Sequence, residues 1–175
     1  ARLEHIRIQD GAVSTVTVCQ NGQTCDLPAR HVVLALGHSA RDTFEMLHRV
    51  GLYMEPKPFA MGVRIEHRQS AIDAAQYRSL AGHPALPPST YKLSCHLPNG
   101  RSAFSFCVCP GGQVVAAASE PGRTVTNGMS AYARDGENIN GALLVNVTPA
   151  DFPSDHPLAG IALQRQLETA AYALT

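Results

Sequence analysis

The chain has 175 residues, 45% of them hydrophobic and 16% charged, and its 14 Lys plus Arg balance 14 Asp plus Glu to a formal net charge of +0. That composition supports one globular domain or two small lobes and excludes a disordered polymer, and with no basic stripe nucleic acid is not an expected partner. The apolar runs, such as Val32 to Leu36 and Val114 to Ala118, fall far short of the roughly 18 residues needed to cross a bilayer, so no transmembrane helix is expected.

Residues 3 to 9 alternate imperfectly and end at the turn signal Asp10-Gly11, after which Val13 to Cys19 alternates as a second strand. Asn21-Gly22 tolerates positive φ at both positions and predicts a hairpin into a third strand. His31 to Leu36 is a continuous apolar run before Gly37, which predicts a strand covered on both faces. Phe44, Met46, Leu47 and Val50 fall at helical spacing between a cap at Ser39 or Asp42 and a stop at Gly51.

Beyond Pro56 and Pro58, Phe59 to Glu66 reads as a strand with Met61, Val63 and Ile65 on one face, and Arg64 opposite them reads as a solvated edge. Ser70 then caps a helix through about Tyr77. Tyr91 to Leu97 and Arg101 to Cys109 flank Pro98-Asn99-Gly100, and a two-residue Asn-Gly loop would pair Leu97 with Ser102 and Cys95 with Phe104. On that register Cys95, Phe104, Phe106 and Val108 share a face, while Lys92, Ser105, Cys107 and Cys109 share the other, with Lys92 directly across from Cys107. Pro110-Gly111-Gly112 turns the chain into a third antiparallel strand from Gln113 to Ser119. Residues 122 to 141 read as a polar, Gly/Asn-rich loop, Ala142 to Val147 as one more strand, and Pro157 to Leu174 as a terminal helix.

Several chemistries are absent from this pattern. There is no Gly-x-Gly, no Gly-Lys-Ser/Thr and no His-Glu-x-x-His, so the chain carries neither a nucleotide phosphate loop nor that zinc motif. Gly37-His38-Ser39-Ala40-Arg41 imitates a serine nucleophile elbow, but Arg41 stands where the elbow needs a second glycine, which makes a hydrolase the third reading. Cys107 and Cys109 form the one compact thiol pair. The proposed register brings only His96 to their face, too few donors for a metal, and an i, i+2 pair on an extended strand suits a disulfide poorly. A functional thiol near a ligand is the alternative to a structural pair. Arg123, Asn127, Ser130 and Arg134 form a polar cluster that could hold an anion or simply connect strands. Five irregularly spaced cysteines do not make a secreted disulfide framework, and a cytoplasmic setting is expected. The first residues carry neither an initiator Met nor an apolar signal segment, and the last read as uninterrupted helix, which points to a piece of a longer protein.

The meander around Ile8-x-Asp10-Gly11-x-Val13, with the run Val32-Val33-Leu34-Ala35-Leu36-Gly37, resembles the part of glutathione-reductase-like flavoproteins that ends in their Ala-Thr-Gly motif, with Leu36 in place of Thr. Lys57-Pro58-Phe59-Ala60-Met61-Gly62-Val63-Arg64, Cys107-Val108-Cys109-Pro110-Gly111-Gly112 and Asn127-Gly128-Met129-Ser130 resemble bacterial FAD-dependent dehydrogenases carrying a Cys-x-Cys-Pro-Gly-Gly turn. The resemblance implies an α+β internal piece of an FAD-dependent oxidoreductase. Residues 1–55 would end the FAD-binding lobe, 56–156 would form an inserted antiparallel substrate lobe, and 157–175 a truncated terminal helix. It places Ala35, Leu36, Gly37 and His38 at the cofactor, Cys107 and Cys109 as candidates for catalysis, and Lys92, Ser105, Arg123, Asn127 and Ser130 as candidates for a small-molecule substrate. FAD would belong to the full-length parent, completed by the remainder of that chain and not bound by this piece alone. A stand-alone α+β ligand-binding or structural module is the competing reading.

Overall fold

The computed structural model describes residues 1–174; Thr175, where the predicted terminal segment ends, lies outside the described residues. The fold is α+β, with three α-helices and antiparallel sheets, and the chain divides into two compact units: Ala1–Pro56 with Pro153–Leu163, and Lys57–Phe152 with the residues from Gln164 onward.

In the first unit β1 (Arg2–Gln9), β2 (Ala12–Gln20) and β3 (Gln23–Pro28) form an antiparallel meander in the order β1-β2-β3. Both of its turns are two-residue loops with positive φ at each position, 51° and 77° at Asp10-Gly11 and 52° and 78° at Asn21-Gly22. These dihedrals match the right-handed twist of the strands they join, which is why Asp-Gly and Asn-Gly stand there. Helix α1 (Arg41–Arg49) buries Met46 and Leu47 against Ile6 of β1, and Val13, Val16, Val32, Leu36 and Val50 pack around them. Its N-cap is Ala40 with no side-chain cap bond, so neither Ser39 nor Asp42 caps it; the Asp42 carboxylate instead accepts the Thr43 N–H.

The expected buried strand at 31–36 does not form. The run has no regular secondary structure and Val33 is 90% exposed, because no strand among the described residues offers it a ladder. Val32 and Leu36 alone keep the apolar function, resting on the Ile6 cluster. Without that strand the elbow-like Gly37–Arg41 segment also lacks the strand-to-helix turn that strains a nucleophilic serine.

The second unit is built on a four-stranded antiparallel sheet, β4-β9-β6-β5, from β4 (Phe59–Arg68), β5 (Ser94–His96), β6 (Ser102–Cys109) and β9 (Asn138–Val147). A two-stranded ribbon joins β7 (Gly112–Ala116) to β8 (Thr126–Ser130). Helix α2 (Gln69–Tyr77) follows β4 without a side-chain cap, so Ser70 does not serve as one, and α3 (Ala159–Tyr172) closes the element order. Four expectations change here. Leu97 N–H donates to the Arg101 carbonyl at 2.7 Å, which leaves a three-residue turn, Pro98-Asn99-Gly100, inside the five-residue β5–β6 connection, so Ser94 pairs with Phe104 and His96 with Ser102, one residue off the predicted register. β7 leaves β6 and pairs with β8, inside the segment read as loop. β9 begins at Asn138 because Ile139 and Asn140 are fully buried between β4 and β6, although Asn-Ile-Asn-Gly looks like a turn. Finally, the stripe Met61, Val63, Ile65 is not a closed core: Val63 is 63% exposed, and Ile65 and Leu143 are exposed beside it.

One end of this sheet is fastened by Arg101. Its guanidinium grips both oxygens of Asp151, at 3.0 Å for the Nη1–Oδ2 contact, and also donates to the Asn146 carbonyl at 2.7 Å. The Arg101 bonds, helped by the Thr148 N–H, hold the Asp151 carboxyl well below the usual carboxylate range. A folded-state pKa below the unfolded value gives stabilisation that is complete above the ordinary carboxylate pKa, about 3.9, and is lost as pH falls through the lower folded value. Asp151→Asn is therefore expected to melt earlier than wild type at pH 7 and to flatten the acid limb of Tm against pH; parallel acid limbs in the two proteins would refute this assignment.

Candidate functional site

The most constrained part of the second unit is the Cys107–Gly112 segment. Phe106 pairs with Ala142 and Cys109 with Asn140, so Cys107 and Val108 together stand opposite the single residue Gly141. This is a β-bulge, with Cys107 at φ +49°. Because the bulge adds one residue, it reverses the alternation beyond it and brings Cys109 to the side of Phe104 and Phe106. The two thiols consequently do not share the polar face with Ser105 as expected. On the β5–β6 register Lys92 falls level with Phe106 rather than Cys107, and its side chain is exposed.

The turn after the bulge is held from below by Gln69, a buried side chain at the start of α2. Its Oε1 accepts the Gly111 N–H at 3.0 Å, while Nε2 donates to the Ser89 carbonyl at 3.0 Å and to Asp73 Oδ1 at 2.8 Å. Asp73 Oδ1 also accepts the Ser89 N–H and hydroxyl at 2.8 and 2.6 Å. Burial pushes the Asp73 carboxyl up, but the Ser89 and Gln69 donors outweigh it and leave the pKa lowered. Backbone meets backbone above the turn: a Cβ on Gly111 would stand 2.1 Å from the Arg134 carbonyl oxygen, and one on Gly112 would stand 2.4 Å from that of Met129. Beside it opens a cleft of about 600 Å3 lined by Gly111, Gly112, Gln113, Met129, Ser130 and Asn138.

Arg64 lies on the same side of the sheet as Cys109, and it is not a solvated edge residue. Its Nη1 donates to Asn140 Oδ1 at 2.6 Å and to the carbonyl of the bulge residue Cys107 at 3.1 Å, and the side chain is half-buried. Strand β8 crosses over this pair at Gly128, where a Cβ would stand 2.1 Å from Asn140 Oδ1 and 2.3 Å from Arg64 Nη1. Cys109 Sγ donates to the Cys107 carbonyl at 3.5 Å. Burial, then the neighbouring Cys107, push the Cys109 thiol up, and Arg64 opposes them without reversing the shift. All five cysteines are free. The alternation of Arg64 with Val63 and Ile65 placed it on the polar face, but its neutral partners lie 43 and 76 residues away and leave no local signal.

The other sequence candidates are dispersed. Ala35, Gly37 and His38 are exposed, Leu36 is half-buried, and a Cβ on Gly37 would meet nothing within 4 Å. The Ser105 hydroxyl accepts the Leu93 N–H at 2.8 Å and contacts the Leu93 carbonyl at 3.4 Å, so it serves the β5 edge. Arg123 pairs with Glu120 at 2.7 Å and donates to the Arg165 carbonyl and Thr169 hydroxyl. Asn127 accepts the N–H of Gly128, and Ser130 stands opposite Gly112 on the ribbon. Ser130 and Arg134 both flank the Gly111-Gly112 turn, whereas Arg123 is engaged by Glu120, the Arg165 carbonyl and Thr169. Among the described residues no helix is long and apolar enough to cross a membrane, and no group of three or more His, Cys, Asp or Glu is placed to hold a metal.

A protein of Clostridium beijerinckii (strain ATCC 51743 / NCIMB 8052), described as an uncharacterized protein, is 47% identical to this chain over 175 residues. That alignment covers 99% of the chain and 32% of the relative, so the chain spans about a third of the relative's length. Residues 58–175, which include the bulge, the Gln69 anchor and the Arg64 cluster, match the family model described as FAD-dependent protein, C-terminal domain-like. On that match the chain belongs to the FAD-dependent protein, C-terminal domain-like family.

Proposed function

We propose that the chain supplies the substrate lobe and one edge of the flavin site of an FAD-dependent oxidoreductase of the dehydrogenase type, related to the glutathione-reductase-like flavoproteins. The observation that carries this reading is the rigid Cys107–Gly112 segment, which is anchored by Gln69 and sets a bulge beside a half-buried cation in the family-matching unit. Such a site can position and tune a reactant, while FAD, when bound, supplies the hydride chemistry. The open space at Gly37 and the exposure of Ala35, Gly37 and His38 fit close approach by a cofactor edge. Binding of its pyrophosphate needs N–H groups at a Gly-rich turn and helix start, which the remainder of the parent chain would provide.

The chain alone is expected to purify colourless, and the full-length parent yellow. Flavin absorbance surviving gel filtration at one equivalent per 175-residue chain would contradict this division of labour. In the parent, Cys107→Ser and Cys109→Ser are expected to lower turnover about tenfold, equal to about 1.4 kcal/mol in the barrier, with small changes in Tm. Unchanged turnover with a large fall in Tm would make both cysteines packing residues.

A further inference from the structure

We infer that Arg64 is the anchor of a binding site for a small monoanionic carboxylate on the Phe104 and Phe106 side of the four-stranded sheet, which extends the oxidoreductase reading by naming its substrate class and rests on that reading for the word substrate. Arg64 is half-buried, and among the described residues no carboxylate lies within ion-pair distance of its guanidinium. Its two protein partners are neutral and both are held by Nη1. A half-buried guanidinium whose hydrogen-bond partners are all neutral keeps its charge available to an anion. The guanidinium also lies against the Cys109 thiol, and its planar fork can take the two oxygens of a carboxylate.

Asn140 supplies the second, independent sign. It is 0% exposed, its Oδ1 is engaged by Arg64, and its Nδ2 has no hydrogen-bond partner among the described residues. An unpaired buried amide N–H is disfavoured, which marks a place where a partner is expected. The surrounding charges select the ligand. Arg68 is matched by Glu137 at 2.6 Å and Arg123 by Glu120, whereas Arg64 has no ion-pair partner among the described residues. Glu66 lies two residues along the same face, with its oxygens taken by the Val114 N–H and Asn138 Nδ2. One cation near that carboxylate suits a monoanion and disfavours a dianionic phosphate.

The test is an NMR titration of the protein, labelled with 15N, with acetate and, separately, inorganic phosphate, following the Arg64 Nε–Hε signal and the amides from Cys107 to Gly112. Acetate is expected to give saturable shifts that phosphate does not match. Arg64→Met is expected to abolish them. Because that variant can fail to fold, Asn140→Asp serves beside it: this nearly isosteric change places a carboxylate on Arg64 and is expected to weaken acetate at least about tenfold without lowering Tm. No saturable shift in wild type, tighter binding of phosphate, or undiminished acetate binding in Asn140→Asp would each overturn the site. Flavin reduction in the parent separates the two ideas. Turnover of neutral compounds with no response to acids would retain the oxidoreductase and discard the carboxylate site. Acetate binding at Arg64 without flavin reduction by any compound tested would retain the site and discard the oxidoreductase.

Discussion

Gly111→Ala is expected to unfold the second unit or to lower its stability by more than about 4 kcal/mol, the range reached only by a few drastic mechanisms. Two of them combine here. Gly111 has φ +59°, a conformation that disfavours an L side chain by roughly 1–2 kcal/mol, and its Cβ would stand 2.1 Å from the Arg134 carbonyl oxygen. The obstacle is backbone, so no rotamer change relieves it, and retreat of the turn would break the Gly111 N–H bond to Gln69. Gly100→Ala is the control: φ is +80° there, but nothing lies within 4 Å of the added Cβ, so only the conformational term of about 1–2 kcal/mol applies. Equal losses in the two variants, measured by urea denaturation, would show that the turn is not clamped from above.

Gln69→Leu is expected to lower stability by about 2–4 kcal/mol, since it leaves several buried polar groups unpaired at once. The Gly111 N–H loses its acceptor, and the Ser89 carbonyl and the Asp73 carboxylate each lose a donor. Removing that donor also lets burial raise the Asp73 pKa, so the variant is expected to lose less stability than wild type as pH falls through the carboxylate range, and its deficit narrows there. Gln69→Glu restores the acceptor for Gly111 but sets a second carboxyl beside Asp73. Its deficit should therefore shrink on acidification, when the new group is neutral. Amide exchange at Gly111 reads the clamp directly, and unchanged protection in Gln69→Leu would show that Gln69 does not hold this turn.

Short-range chemistry made the first unit largely legible. Asp10-Gly11 and Asn21-Gly22 needed only the dihedral preferences of two adjacent residues, and α1 needed only the spacing of Met46, Leu47 and Val50. The same kind of signal misled at Val32–Leu36. An apolar run reports that burial is favourable, but a strand exists only where another strand completes its hydrogen bonds, and none does so among the described residues.

By itself, then, the sequence determined the α+β class, the two meander turns and the amphipathic helix. Only the tertiary structure decided the β5–β6 register, the bulge at Cys107, the pairing of β7 with β8 and the neutral surroundings of Arg64. The division follows the range of the forces. A turn is set by the dihedrals of its own residues, whereas one extra residue in β6 reverses every later side chain for reasons that lie in β9, and the hydrogen bonding of Arg64 depends on Asn140, 76 residues away.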